Sequence, residues 1–495
     1  MTNINRDDSL VRELALRKKV SDIMKAPPVT CGYMDSIGTI ADTMAHHDVS
    51  SIVVTAPNSV PQGIITEKDL VTKVLTRDTA EIKKLKAHHV MSDNLISIDP
   101  DAFSYHALLL MAKHSIKHVV VTKGQTLVGI VTMRDLIRSR QSGALSIVNS
   151  IETQQTIEGL GRAVEDIDGV LHALISERAY ASEICLLITE FYDRLTRKII
   201  FLAELEMKKE HGPPPARYSF INMGSSGRME QYSRTDQDNG IIIENISSQA
   251  QAKHVKGYFL TLGEKIVSGL ERCGFIRCDG QVMANNPEWC NTLSDWHQIN
   301  SRWIEELNPE NVRKMTIFLD FRHIYGDEEL TRRLRSFVTA AYRNANTALL
   351  FLAEDDLRFK APLNVFKQLV TEKSGKRRNQ VNLKGTACVH IVDCVRLFAL
   401  KEGIAETSTL RRLNELKNRT VLKKDDIEFI ETSYENLMMF RIREAVEKMS
   451  RGEEPDNYIN PYTLNKKEQS LLRESFIAVS RIQEFAEKYF LIYKG

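Results

Sequence analysis

Asp236 and Asp238 stand two residues apart in the stretch GSSGRMEQYSRTDQDNGIII, which runs from Gly224 to Ile243. In an extended chain, residues i and i+2 project to the same side, so this spacing brings two carboxylates together. Like charges so close repel, and their protonation conflicts unless a cation lies between them. Oxygen donors in this arrangement suit Mg²⁺ (or Mn²⁺ in its place), which is usually held by one or two carboxylates plus substrate phosphates. Just upstream, Gly224, Ser225, Ser226 and Gly227 are small enough for backbone N–H groups to approach an anion closely. A phosphate-cradling turn followed by a metal pair is the equipment of phosphoryl or nucleotidyl transfer. A third carboxylate is expected from a neighbouring strand. Residues 315–321 read as that strand, and Asp320 interrupts its apolar run. A charge there costs several kcal/mol unless paired or metal-bound, so Asp320 is assigned to the metal set, against an ion pair with Arg322. Arg228 and Glu230 lie between turn and pair and are placed with the substrate. Arg228 is expected to grip the triphosphate, the alternative being an internal pair with Glu230.

These residues need a scaffold. The run from Tyr218 to Met223 reads as a strand delivering the turn, and Ile241, Ile242 and Ile243 continue the aspartate segment as a second strand. Upstream, residues 145–211 carry apolar positions at helical spacing and read as one continuous helical connector, stopped by Gly212-Pro213-Pro214-Pro215. Further upstream is a repeat. GIITEKDL begins at Gly63 and GIVTMRDL at Gly129, 66 residues on, while Met24 is answered by Met91, 67 residues on. Each copy reads β-α-β-β-α, and two such halves bury each other's apolar faces. From Glu328 the chain is helical again. Its loop EKSGKRRNQ, with Lys373, Lys376, Arg377 and Arg378, reads as a solvated face, the alternative being contact with nucleotide phosphates or an acidic protein. His390 reads as a core histidine. The expected divisions are a segment 1–19, a repeat pair 20–140, the connector 145–211, a catalytic domain 212–327 and a C-terminal helical domain 328–495.

Composition removes several classes of function. Lys and Arg number 67 against 65 for Asp and Glu, so a net charge of +2 gives no general reason for nucleic acid or an anionic membrane as the main partner. No apolar run is long enough to span a bilayer, and the seven scattered cysteines fit a reduced, cytoplasmic protein. A zinc site on Cys278, Cys290 and His297 lacks the usual paired spacing and is set aside.

The repeat, with G-h-h-T-x-x-D opening each last helix, resembles a tandem pair of CBS domains. The resemblance implies an adenine-nucleotide site in which Thr66 and Thr132 meet phosphate while Asp69 and Asp135 hold ribose hydroxyls, and a homodimer through the pair is expected with it. The residues' own chemistry leaves equal room for Thr66 and Thr132 as helix caps supported by the two aspartates. G-S-x10-D-x-D resembles the nucleotidyltransferase superfamily that includes DNA polymerase beta. The stretch GSSGRMEQYSRTDQDN is closer to its bacterial branch, with the uridylyltransferase of the PII protein and the adenylyltransferase of glutamine synthetase. It is closest to the DUF294 family, in which CBS pairs commonly precede this domain. Residues 283–304 and 383–400 resemble later blocks of that family. Two features depart from the pattern: Asn239 and Gly240 follow the second aspartate where an apolar residue is usual, and the chain starts too close to its CBS pair for the cyclic-nucleotide domain that many members carry.

The fold expected is therefore an α+β multidomain chain: tandem CBS pair, helical connector, mixed-sheet nucleotidyltransferase domain and C-terminal helical bundle. The function expected is Mg²⁺-dependent transfer from an NTP, uridylyl- or adenylyltransferase-like, to an acceptor such as a protein, switched by adenine nucleotide. The alternatives are a non-catalytic adenine-nucleotide sensor and, more weakly, a metal-dependent phosphohydrolase.

Overall fold

A computed structural model describes residues 19–56, 60–76, 82, 84–114, 116–138, 142–176 and 178–491. The chain divides into two compact units, Met1–Asn149 with Ser176–Arg178, and Ser150–Ile175 with Ala179–Gly495.

In the first unit β1 (Thr30–Gly32), β2 (Ser51–Thr55) and β3 (Pro61–Thr66) form a sheet in that order, β1 parallel and β3 antiparallel to β2. The second copy, β4 (Ser97–Ile98), β5 (His118–Lys123) and β6 (Thr126–Thr132), repeats that topology. Helices α1 (Ile37–His46) and α2 (Ser104–Lys113) follow β1 and β4. The copies interlock through the residues that mark the repeat. Lys25 exchanges backbone hydrogen bonds with Ile130 (2.9 and 3.1 Å), and Ser92 does the same with Ile64 (2.9 and 3.0 Å). Met24 and Met91 then seat on the opposite copy's glycine: a Cβ on Gly129 would lie 2.7 Å from Met24 Sδ, and one on Gly63 would lie 2.5 Å from Met91 Sδ. Val53, Val120 and Ile130 close the shared core. Residues 1–18 and Arg140, the expected end of the pair, lie outside the described residues.

The expected continuous connector is three helices, α3 (Ser142–Thr153), α4 (Ile157–Ser176) and α5 (Ala181–His211). Local caps break it. Thr156 Oγ1 accepts from Gly159 N (3.1 Å), and Tyr180 N donates to Glu183 Oε2 (3.1 Å), each starting a new helix. Nor do α4 and α5 act as a spacer, because they belong to the second unit. Asp168 on α4 pairs with Arg234 at 2.7 Å, and Thr189 Oγ1 on α5 donates to Gln231 O at 3.0 Å.

That unit is built on β7 (Tyr218–Asn222), β8 (Asn239–Ile243), β9 (Cys290–Thr292) and β10 (Arg322–Gly326), ordered β10-β7-β8-β9. Only β9 runs parallel to its neighbour. β7 and β8 are buried at every residue, including the polar Ser219, Asn222 and Asn239 that interrupt their apolar side chains. A single helical turn α6 (Gly224–Gly227) follows β7, and α7 (Gln249–Arg272), α8 (Leu293–Glu305) and α9 (Pro309–Phe318) cover the sheet with Trp289, Trp296, Trp303 and Phe318 in the core. The expected strand at 315–321 is instead the end of α9, a turn, and the approach to β10. Asn308 Oδ1 accepts from Asn311 N (2.9 Å) and Pro309 takes the first helical position, a start signal that outweighs the apolar run. The C-terminal helices are α10 (Glu328–Asn344), α11 (Asn346–Leu357), α12 (Val389–Lys401), α13 (Thr409–Asn418), α14 (Lys424–Ser450) and α15 (Lys466–Ala486), with a two-residue ladder between β11 (Val381–Asn382) and β12 (Tyr458–Ile459). His390 is buried and bonds Asp356 (2.6 Å), as a core histidine does.

Candidate functional site

The turn and the pair meet at the ends of β7 and β8. Met223 N donates to Asp238 O (2.8 Å), tying strand end to aspartate segment. Gly224 has φ +56°, and a Cβ there would sit 2.6 Å from Asp238 Oδ2. Glycine is thus required twice over, for the left-handed backbone and for the carboxylate's place. Gly227 meets a harder limit, since its Cβ would lie 2.0 Å from the Asp320 carbonyl oxygen. The expected open cradle is a first helical turn whose leading N–H groups have no helical acceptor. Ser226 is partly committed, its Oγ accepting from Asn222 Nδ2 (2.9 Å) and its carbonyl from Arg322 Nη2 (2.9 Å). Gly224→Ala is expected to destabilise the protein by roughly 1–3 kcal/mol and to displace Asp238, read as a lower thermal midpoint together with weakened divalent-ion binding.

Asp236 and Asp238 converge with Cys278, their ligand atoms all within 4.8 Å of one another. Burial, then the Asp236 carboxylate, push the Asp238 carboxyl up to about 6, against the Cys278 thiol that hydrogen-bonds it. A carboxylate pair held in that conflict fits a divalent cation. Burial raises the Cys278 thiol's own pKa, so the protonated sulfur is a donor to Asp238 rather than a ligand for a hard cation. Cys278 therefore belongs with the aspartates, while His297 stacks on Phe337 at 3.9 Å.

Asp320 is not in that group. It is 0% exposed. Its Oδ2 accepts from Arg228 Nη1 (2.8 Å) and Arg396 Nη2 (2.6 Å), its Oδ1 accepts from Arg396 Nε (3.1 Å), and Arg412 Nη1 lies 2.8 Å from Oδ1. Burial alone would raise its pKa, but three guanidiniums hold it well below the usual carboxylate range. Its assignment as a metal ligand is corrected: Asp320 anchors an arginine cluster. Arg322, its other expected partner, forks onto Asp193 (2.7 and 3.0 Å). Arg228 and Glu230 are corrected likewise. Arg228 Nε donates to Glu230 Oε2 (2.6 Å), and Glu230 also accepts from Tyr434 Oη (2.9 Å) and Thr409 N (2.8 Å). These residues clamp the Gly224–Gly227 turn to the C-terminal helices through Thr407, Thr409 and Tyr434. Thr407 Oγ1 adds a bond to Gly227 O (2.9 Å).

One site residue escapes the motif reading. Lys384 lies between β11 and α12, where surrounding protein and then Arg441 and Arg228 lower its ammonium pKa against the raising fields of Asp236 and Asp238. It has no ion pair among the described residues, and both carboxylates of the pair act on its charge. The only signal for it in the sequence is its place in LKGTACVH, the block at 383–400.

In the first unit, Thr66 Oγ1 donates to Asp69 Oδ2 (2.6 Å), Thr66 N donates to the same oxygen (3.0 Å), and Asp69 N approaches Thr66 Oγ1 (3.4 Å). Thr132 and Asp135 repeat this at 2.6, 2.9 and 3.3 Å. Both pairs are reciprocal helix caps. Lys73 also pairs with Asp69 at 2.8 Å. His118 connects the copies through Ser50 Oγ (3.0 Å). It pairs across the sheet with Thr132, and burial lowers its pKa against the raising fields of Glu67, Asp135 and Asp69.

Family models match as "CBS domain" at 20–76 and 87–142, "Putative nucleotidyltransferase DUF294" at 165–310, and "Putative nucleotidyltransferase substrate binding domain" at 346–490. The chain is 32% identical over 125 residues to "Uncharacterized protein YlbB" of Bacillus subtilis, covering 25% of this chain and 83% of that protein. It is 30% identical over 125 residues to the "CBS domain-containing protein YhcV" of the same organism, covering 25% and 86%. Against "CBS domain-containing protein CBSX3, mitochondrial" of Arabidopsis thaliana the identity is 28%, covering 24% and 63%. Among solved structures, the CBS-domain containing protein ATU1752 from Agrobacterium tumefaciens is 27% identical, covering 25% of this chain and 95% of that one, with a TM-score of 0.24. PAE2072 from Pyrobaculum aerophilum, complexed with AMP, is 27% identical, covering 24% and 89%, with a TM-score of 0.22. The chain belongs to the CBS domain-containing proteins and carries, after that pair, the regions matched by the two DUF294 family models. Each of these relatives spans only about a quarter of it.

Proposed function

We propose that the second unit is a divalent-metal-dependent nucleotidyltransferase, uridylyl- or adenylyltransferase-like, with activity set by adenine nucleotide at the CBS pair. The convergence of Asp236 and Asp238 beside the Gly224 turn carries this reading. Asp236 and Asp238 would hold Mg²⁺ or Mn²⁺, which when bound neutralises the triphosphate and eases deprotonation of an acceptor hydroxyl. The protein supplies the rest. First-turn N–H groups and the Ser225 hydroxyl, without a partner among the described residues, are available to phosphate oxygens. Lys384, on whose charge both aspartates act, adds a positive charge to the site. In the reaction the acceptor oxygen bonds the α-phosphorus, the bond to the β-phosphate bridge breaks, and pyrophosphate and a proton leave. The C-terminal helices, clamped to the turn through Glu230 and Asp320, are positioned to present an acceptor such as a protein hydroxyl.

The test is incubation with each labelled NTP, Mg²⁺ and host lysate. A labelled acceptor is expected with the native chain and is expected to be lost in Lys384→Gln through a raised KM for NTP at unchanged stability. A non-catalytic nucleotide sensor is the second reading, favoured by the engagement of Asp320 with three arginines, which leaves two carboxylates for metal. NTP binding without transfer to any acceptor would select it.

For the CBS pair, Asp69→Ala and Asp135→Ala are each expected to cost about 1 kcal/mol of stability through loss of a cap. Each is also expected to weaken adenine-nucleotide binding by about 1–3 kcal/mol, the range for a charged hydrogen bond. Calorimetry separates the two: a stability loss with no heat from ATP, ADP or AMP reduces both residues to caps. Two copies are proposed to pair through this unit, which light scattering at twice the chain mass would bear out. If the units communicate, NTP in the catalytic cleft must shift CBS-ligand affinity by the same factor as the reverse, and equal affinities with and without NTP would end the regulatory reading.

A further inference from the structure

The segment from 358 to 380, between α11 and β11, contributes nothing to the site described above. It has no regular element except one 3-10 turn, Gly375–Arg377, and so long an irregular connection is uncommon in a compact unit. It carries seven basic side chains and one acidic one in a chain whose net charge is only +2. Two of the seven are paired, Arg358 with Asp355 (3.6 Å) and Arg377 with Asp456 (2.6 Å). Lys360, Lys367, Lys373, Lys376 and Arg378 have no ion pair among the described residues.

The tip is apolar and ordered. Val365 is 91% exposed and Phe366 80%. Asn364 Oδ1 accepts from both Phe366 N and Gln368 N (2.9 Å each), Lys367 N bonds Asn364 O (2.8 Å), and Leu363 bridges Leu369. The base is tethered by Gln483 Nε2 to Phe359 O (2.9 Å) and by Arg377 stacked over Tyr458 at 4.6 Å. A hydrogen-bonded turn thus holds two large apolar side chains in water within a segment that carries five cations without an ion pair among the described residues.

We propose that this segment docks on an anionic lipid surface, Val365 and Phe366 entering the headgroup boundary while the lysines meet the lipid phosphates. Charge complementarity calls for an anionic partner. The tip joins one aliphatic and one aromatic side chain, and a fluid bilayer accepts such an apolar pair without shape complementarity. Each basic group near an anionic leaflet contributes about 1 kcal/mol, so a near-neutral chain can bind locally. Among the described residues no helix is long and apolar enough to cross a membrane, so the contact is peripheral.

Co-sedimentation of the full chain with vesicles tests this. Binding is expected to phosphatidylcholine vesicles containing about a third phosphatidylglycerol, to be absent with phosphatidylcholine alone, and to weaken with salt. Val365→Ser with Phe366→Ser is expected to lower the partition about tenfold or more, and Lys360→Gln or Lys367→Gln about fivefold each. All four residues are exposed, so folding is expected to be unchanged by circular dichroism. The proposal is overturned if the anionic vesicles are not bound or if the double serine variant binds them equally well. Binding of a labelled single-stranded RNA in place of the vesicles would make this a nucleic-acid surface and overturn it too.

Discussion

Asp238→Asn is expected to abolish nucleotide transfer, by at least about 10³-fold, while raising the melting temperature of the metal-free protein. The two effects share one cause. The Asp238 carboxyl sits at about 6 in the fold against an ordinary value near 3.8, because burial and the Asp236 charge disfavour its ionised form. A raised folded pKa means that the favourable contribution is complete below about 4 and is lost as pH rises through about 6. At pH 7 the ionised group therefore costs roughly 2 kcal/mol once solvent screening is allowed for, and the neutral amide removes that cost at constant shape. The gain in melting temperature is roughly a few degrees. A bound cation would be favoured by the very repulsion that burdens the empty pair. Divalent-ion affinity in the native chain is accordingly expected to fall as pH drops through about 6, because the proton competes for the same oxygen. Calorimetric titration at pH 5 to 8 with parallel thermal melts reads both. Near-native transfer by Asp238→Asn would end the metal-pair mechanism, and a lower melting temperature would make Asp238 a structural residue.

What sequence reading reached and what it missed divides along range. The convergence of Asp236 and Asp238 was legible because its geometry is local: a period of two brings their carboxylates to one side. The CBS repeat was legible because two copies in register constrain each other, down to the methionines that seat on opposite glycines. Asp320 was misread because the run 315–321 looks strand-like, while the Asn308-Pro309 cap that makes it helical lies outside the run. Its partners were beyond reach, since Arg396 and Arg412 arrive from helices 76 and 92 residues further along the chain. Arg228 and Glu230 failed for the same reason, their neighbours Thr409 and Tyr434 being set by tertiary docking. The connector failed on two caps that fit no periodic pattern. Lys384 was invisible as a site residue because a single lysine has no spacing to read.

Asp320→Asn is expected to destabilise the second unit by about 3–5 kcal/mol, and not to leave a folded, inactive enzyme. The side chain is fully buried, and its charge is the counterion for Arg228, Arg396 and Arg412, all within 2.8 Å of a carboxylate oxygen at their nearest atoms. An amide removes the negative charge and strips the buried Arg412 of its carboxylate partner, while Arg228 and Arg396 are left with Glu230 and Asp393 alone. The depressed pKa gives a second signature. A carboxyl held below its ordinary range contributes stability above that range and loses it as pH falls from about 4 toward the folded value, so the native chain is expected to weaken on acidification over that window. In Asp320→Asn that acid limb is expected to flatten, because the titrating group is gone. Arg412→Met in the native and Asp320→Asn backgrounds closes a double-mutant cycle. Removing Arg412 is expected to cost stability when Asp320 is present and to recover part of it when Asp320 is absent, since it relieves the uncompensated positive charge. Urea denaturation followed by tryptophan fluorescence measures all four, because Trp289, Trp296 and Trp303 lie in the core of the same unit. An Asp320→Asn variant with native stability and no transfer activity would return Asp320 to the metal set. The predicted loss of stability with activity retained per folded molecule would fix it as the anchor that docks the C-terminal helices onto the catalytic turn.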